Sequence, residues 1–196
     1  CSGSSALYIY KAASVLVYLP DGTASTLTDG SSYDDSDSFS STTDEEPNAC
    51  LYSKSDLVIA GGGTLTVTGN ANGITGKDTL KIEGTAVNVT AANHGINGKD
   101  CLVLKQADIT VTSSGDALRS TNDSDSALGC ILIGASVLTL TAGEDGIQAE
   151  TTLTLFDTPS PTTRAPRASR PAPTSPPAAA ATRSTARTTA CTQTAM

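Results

Sequence analysis

The chain has 196 residues, 38% of them hydrophobic, 4% aromatic and 16% charged, which is enough for one domain with a real core. Its 20 acidic against 12 basic residues give a net charge of −8, which argues against a nucleic-acid partner, and no run is long and apolar enough to span a membrane. Five cysteines with no CxxC pair argue against a thiolate metal site or a disulfide framework.

In chain order, LYIYKAASVLVYL offers two short strands through the pairs Leu7/Ile9 and Val15/Val17. TDGSSYDDSDSFSSTTDEEPN follows with seven acidic residues and reads as a solvated loop. Leu57/Ile59 and Leu65/Val67 come next. Leu80/Ile82 then recurs as Leu102/Leu104, Ile131/Ile133 and Leu153/Leu155, at steps of 22, 29 and 22 residues. Val87/Val89 recurs in the same way as Ile109/Val111 and Leu138/Leu140.

Within each copy apolar and polar residues alternate, as in TLKIE, AVNVT, DITVT and TLTVT, which is the period of a strand. Each copy therefore reads as two short strands with turns. Turns of about 22 residues rich in Gly, Asn and Thr are too short for a strand, a helix and their loops, and suit one rung of a parallel β-solenoid. The expected fold is an all-β parallel β-helix over residues 1–156, with Leu, Ile and Val stacked inward about 4.8 Å apart.

Residues 1–156 hold 7 basic and 19 acidic residues, a balance of 7 − 19 = −12, whereas 157–196 hold 5 Arg and one Asp, a balance of +4. Where the next apolar pair is due, Ser160 and Thr162 stand instead, each preceded by a proline, Pro159 and Pro161, which a strand inside a sheet does not accept. The segment 157–196 is expected to be a disordered tail: a linker or cell-wall-associated tail is one reading, and an out-of-frame or otherwise aberrant continuation is favoured because the pattern stops in mid-rung. The β-helix itself reads as a fragment open at both ends, with exposed strand edges that invite end-to-end self-association. Cys101 and Cys130 share one repeat column. They are expected to be two stacked thiols, since in-register neighbours on parallel strands fit disulfide geometry poorly.

LPDGTASTLTDGSSY, DEEPNACLYSKSDLVI, NGITGKD, GDALRSTNDSDS and EDGIQAE resemble secreted bacterial carbohydrate-binding β-helix proteins related in shape to pectate lyases. The resemblance covers about residues 5–155. It implies a right-handed parallel β-helix, an extracellular or cell-surface location, calcium binding, and plant cell-wall polysaccharides such as pectic acid and cellulose as partners.

The charged residues form columns. Asn72, His94, Asp116 and Asp145 open successive copies, and Asp78 lies over Asp100. Carboxylates about 5 Å apart repel by roughly 3 kcal/mol at an effective dielectric near 20, and calcium, with its six to eight oxygen ligands, relieves that repulsion. The seven extra residues of the long step fall in STNDSDSALG, which is expected to set Asn122, Asp123 and Asp125 beside Asp116. The expected calcium ligands are Asp116, Asn122, Asp123, Asp125, Asp145, Glu150, Asp78 and Asp100. His94 is expected to be a hydrogen-bonded turn residue.

Lys54, Lys77 and Lys99 share another column and neutralise neighbouring carboxylates. Lys77, Lys99 and Arg119 are the expected contacts to an anionic sugar. Three functions compete: calcium-dependent polysaccharide binding, a calcium-dependent polysaccharide lyase with Arg119 or Lys99 as base, and a structural surface protein. No nucleophilic constellation is visible and no catalytic residue is assigned, so binding ranks first. Residues 57–155 contain no Trp, Tyr or Phe, so flat sugar faces lack a stacking platform there and uronates are favoured over cellulose. Tyr8, Tyr10 and Tyr18 are expected to face outward and either form a small patch or pack against a further upstream rung.

Overall fold

The computed structural model describes residues 4–31, 33 and 46–156. The expected tail 157–196 and most of the acidic loop lie outside the described residues. The first rung comprises β1 (Leu7–Ile9), β2 (Val15–Leu19) and β3 (Ala24–Thr28), and the second β4 (Ala49–Ser53), β5 (Leu57–Gly61) and β6 (Thr64–Gly69). The third holds β7 (Asn72–Gly76), β8 (Thr79–Glu83) and β9 (Ala86–Ala91), and the fourth β10 (Ile96–Gly98), β11 (Cys101–Lys105) and β12 (Asp108–Ser113). β13 (Leu118–Ser120), β14 (Cys130–Gly134) and β15 (Val137–Ala142) make the fifth, and β16 (Ile147–Ala149) and β17 (Thr152–Phe156) follow.

The first strands of all rungs form sheet A, the second strands sheet B and the third strands sheet C. Every pairing is parallel and in register, giving a parallel β-helix. In sheet B, Leu80, Leu102, Ile131 and Leu153 stack as one column and Ile82, Leu104, Ile133 and Leu155 as the next. In sheet C, Val87, Ile109 and Leu138 stack in the same way. These side chains point inward because alternate residues of a strand face opposite sides. Each fully buried Leu or Ile contributes about 1.5–3 kcal/mol. The central columns are fully enclosed, whereas Leu153 and Leu155 in β17 are 44% and 62% exposed.

Each rung holds three strands, not the two that the sequence pattern suggested. The sheet A strands were hidden because GITG and GING carry one inward Ile between glycines, too little for alternation to register. Ile74 and Ile96 nevertheless stack in register. Gly73 and Gly95 are required beside them: a Cβ at Gly95 would lie 2.3 Å from Val111 Cγ1 and 2.5 Å from the Ala117 carbonyl oxygen. Leu7 and Ile9 accordingly pair with Leu51 and Ser53 in sheet A and do not share the Leu80/Ile82 columns. Tyr18 pairs with Ala60 on sheet B, away from Tyr8 and Tyr10, so the expected three-tyrosine patch is not formed. Tyr8 instead packs edge-on against Tyr10 and Tyr52.

Cys101 and Cys130 form a disulfide, which corrects the expectation of stacked thiols. They are in-register partners of β11 and β14. Their Cα atoms are 4.7 Å apart, inside the range that a disulfide bridges, so in-register stacking on parallel strands permits the bond. Cys50 is buried and free.

Candidate functional site

The outward residues of sheet A make a floor. Tyr52, Thr75, Asn97 and Arg119 stack on successive strands in register. One wall carries the column Asn72 and His94, and the other the column Lys77 and Lys99. Together they enclose a groove of about 240 Å³ along the helix axis, closed at one end by Glu46.

The column Asn72, His94, Asp116, Asp145 is a hydrogen-bonded ladder that turns the chain from sheet C into sheet A. Asn72 Oδ1 accepts from the His94 backbone N–H at 3.1 Å, His94 Nδ1 faces the Asp116 N–H at 3.0 Å, and Asp116 Oδ1 accepts from the Asp145 N–H at 3.1 Å. Each polar side chain thus satisfies a backbone donor of the next rung, as buried polar groups must. His94 is therefore the hydrogen-bonded turn residue that its place in the column suggests.

His94 also fixes Arg119, whose Nη1 donates to His94 Nε2 at 2.6 Å. Guanidinium groups only donate, and a neutral imidazole has one acceptor nitrogen, so the ring accepts at Nε2 or at Nδ1 and not at both. Burial first, and the Arg119 charge second, push the His94 pKa down and keep the ring neutral. Asp116 Oδ2 lies 3.5 Å from Arg119 Nη1 and 3.3 Å from His94 Nδ1.

At the other end, Glu46 is 4% exposed and takes Lys54 Nζ at 2.7 Å and Lys77 Nζ at 2.5 Å. Burial alone would raise its carboxyl, but hydrogen bonds from Lys54, Lys77 and Tyr52 outweigh that and hold it at about 2. Among the described residues, Lys99 has no carboxylate within salt-bridge distance.

The expected sugar contacts Lys77, Lys99 and Arg119 therefore line one groove. The expected calcium ligands are divided between two corners. Asp116 and Asp145 precede β13 and β16, whereas Asn122, Asp123 and Asp125 follow β13, so they do not stand beside Asp116. The intervening strand, at about 3.3 Å per residue, separates the two sets by on the order of 15 Å. Glu150 follows β16, on the side of Asn122.

In the corner between sheets A and B, Asn122 Nδ2 donates to Asp100 Oδ1 at 2.6 Å. Its Oδ1 accepts from Ser124 and from the Asp125 N–H, which leaves Asn122 a poor ion ligand. The Asp78 pKa is raised, by burial first and then by the neighbouring charges of Asp100 and Asp56. Asp78 and Asp100 are both half-buried, and Asp100 already accepts from Asn122.

Among the described residues, the one group of three His, Cys, Asp or Glu ligand atoms lying within 4.8 Å of one another is His94, Asp116 and Glu144. The sequence reading missed Glu144, whose only signal is its position just before Asp145. Arg119 already supplies a positive charge to this group. The floor residues Thr75 and Asn97 were missed as well, being uncharged and on strands that went unrecognised.

A carbohydrate-binding domain-containing protein of Acetivibrio thermocellus is 43% identical over 82 residues, which is 41% of this chain and 27% of that protein. The chain thus matches about a quarter of the length of that relative. The polysaccharide lyase-like protein from C. thermocellum, solved as a gadolinium derivative, superposes with a TM-score of 0.70 at 27% identity, covering 80% of this chain and 72% of the other. A family model matches residues 1–182, and the chain belongs to the family of carbohydrate-binding domain-containing proteins.

Proposed function

We propose that the chain binds acidic plant cell-wall polysaccharide in the groove on sheet A, outside the cytoplasm and with the help of calcium. The observation that carries this reading is the convergence of Lys77, Lys99 and Arg119 on one groove in a chain of net charge −8. An acidic protein meets an acidic glycan where its few cations are gathered. Pectic chains are favoured over cellulose because, beyond Tyr52 at the Glu46 end, the floor is made of the hydrogen-bonding residues Thr75, Asn97 and Arg119. The Cys101–Cys130 disulfide suits an oxidising compartment.

Asp78 and Asp100 are the residues best suited to hold calcium, next in sequence to Lys77 and Lys99 on the groove wall. Bound there, the ion would supply positive charge to a sugar carboxylate.

Binding ranks above lyase chemistry. Arg119, the candidate base, donates to His94 and lies beside Asp116, contacts made by the proton-donating form and not by a base. The test is calorimetric titration of a polysaccharide panel with calcium and with chelator. Polygalacturonate should bind more tightly with calcium, Asp100→Ala should remove that increment, and Asp108→Ala on the exposed face of sheet C should keep it. Equal calcium affinity in all three proteins would end the calcium assignment, and steady formation of an ultraviolet-absorbing unsaturated uronate would put the lyase reading first.

A further inference from the structure

The centre of the groove floor is uncharged. Thr75 on β7 and Asn97 on β10 are in-register neighbours, both line the groove, and Thr75 is only 3% exposed. Thr75 Oγ1 and Asn97 Oδ1 are buried and have no hydrogen-bond partner in the protein. Thr75 stands apart in this: among the described residues, every other buried Ser or Thr hydroxyl donates to a backbone carbonyl, from Ser5, Ser53, Ser55, Thr85, Ser113 and Ser120. A buried hydroxyl without a partner weakens a fold by an amount that a valine of the same shape would not. On the floor of a groove, that cost points to a ligand that completes the hydrogen bond.

We infer that Thr75 and Asn97 read the hydroxyls of two successive sugars, so that the groove takes a glycan whose secondary hydroxyls are free and refuses one that is O-acetylated. The inference rests on the glycan-binding reading above and deepens it: the cationic wall meets charge, and the uncharged floor meets hydroxyls. A hydroxyl both donates and accepts, whereas an amide oxygen only accepts. One sugar hydroxyl therefore donates to Asn97 Oδ1, and another takes either role towards Thr75 Oγ1. The two floor positions lie about 4.8 Å apart along the helix axis, close to the advance of one sugar in an extended chain, so neighbouring sugars reach both. An acetyl ester on either hydroxyl removes its proton, adds bulk between the walls and leaves the floor atom unpaired. A site built to hydrogen-bond a hydroxyl rejects an analogue without it for that reason.

The experiment titrates the full chain, in calcium, with galacturonide oligomers of one length in three forms: unmodified, O-acetylated on the ring hydroxyls, and carboxyl-reduced. The acetylated form should bind about tenfold more weakly than the unmodified one, the order of effect of leaving one buried polar group unpaired. Thr75→Val should lower affinity for the unmodified and carboxyl-reduced forms by that same factor and leave the acetylated form unchanged. Without ligand, the same variant should melt about 2–4 °C higher than wild type, because valine fills the space with no unpaired hydroxyl. A hydroxyl with a purely structural role would show the reverse.

Asn97→Leu should repeat the affinity pattern, and Thr110→Val, on the outer face of β12 in sheet C, should leave every affinity unchanged. Equal binding of acetylated and unmodified oligomers overturns the inference, as does a Thr75→Val protein that binds like wild type or melts lower than it. Binding that is blind to acetylation but still needs the carboxylate sinks this inference alone. Equal binding of unmodified and carboxyl-reduced oligomers, with the hydroxyl effects intact, sinks the acidic preference alone. No binding of any of the three forms overturns both.

Discussion

Glu46 offers a quantitative test of the groove's electrostatics. Its carboxyl is held at about 2 against an ordinary 4.5, burial being outweighed by hydrogen bonds from Lys54, Lys77 and Tyr52. A folded-state pKa below the unfolded one contributes stability that is complete above the unfolded value and disappears as pH falls through the folded value. The interval corresponds to about 3 kcal/mol. Because the Lys54 and Lys77 side chains are 27% and 35% exposed, solvent screening reduces this to about 2–3 kcal/mol. Glu46→Gln should therefore destabilise the protein by about 2–3 kcal/mol at pH 7, and the difference from wild type should shrink between pH 5 and about 2. Urea unfolding of both proteins at pH 7, 4.5 and 2.5 measures it. A difference that stays constant over that range would refute the argument, because it would show that the loss is one of packing and not of charge.

Leu102→Ala, in a fully buried column, should cost about 3 kcal/mol through lost transfer energy and a cavity. Leu153→Ala in the same column, already 44% exposed, should cost less than about 1 kcal/mol; equal costs in urea melts would contradict the stacking. Ala135 has φ of 49°, and Ala135→Gly should raise stability by about 1 kcal/mol, with no gain in melting temperature as the contrary result. Reduction of Cys101–Cys130, which are 29 residues apart, should cost about 3–4 kcal/mol by loop-closure entropy. Cys130→Ser should be insensitive to reductant, and a wild type equally insensitive would argue against the bond.

Much of the fold was legible because two sheets write themselves in alternation. Leu80 and Ile82 flank a polar residue and return at steps of 22, 29 and 22 residues, so sheet B could be read column by column, and Val87 and Val89 did the same for sheet C. Sheet A could not be read, because Ile74 and Ile96 stand alone between glycines. That one omission explains most of the misplacements at the candidate site. Without β13 between them, Asp116 and Asn122 seemed neighbours. Without β7 and β10, Thr75 and Asn97 had no floor to occupy. Lys77 and Lys99 were legible as a column from the repeated GKD, but that Arg119 faces the same groove follows only from the register of β10 with β13. The disulfide was missed through a geometric assumption: parallel in-register neighbours were taken to be poorly placed for a bond that a 4.7 Å Cα separation allows.

The central claim is that glycan occupies the outer face of sheet A, and backbone hydrogen exchange with and without a bound oligogalacturonide tests it most directly. The account predicts added protection in β7, β10 and β13 and in the corners that carry Lys77, Lys99 and His94, with β9 and β12 of sheet C unchanged. Protection concentrated on sheet C or on the outer face of sheet B, with sheet A unaffected, would contradict it.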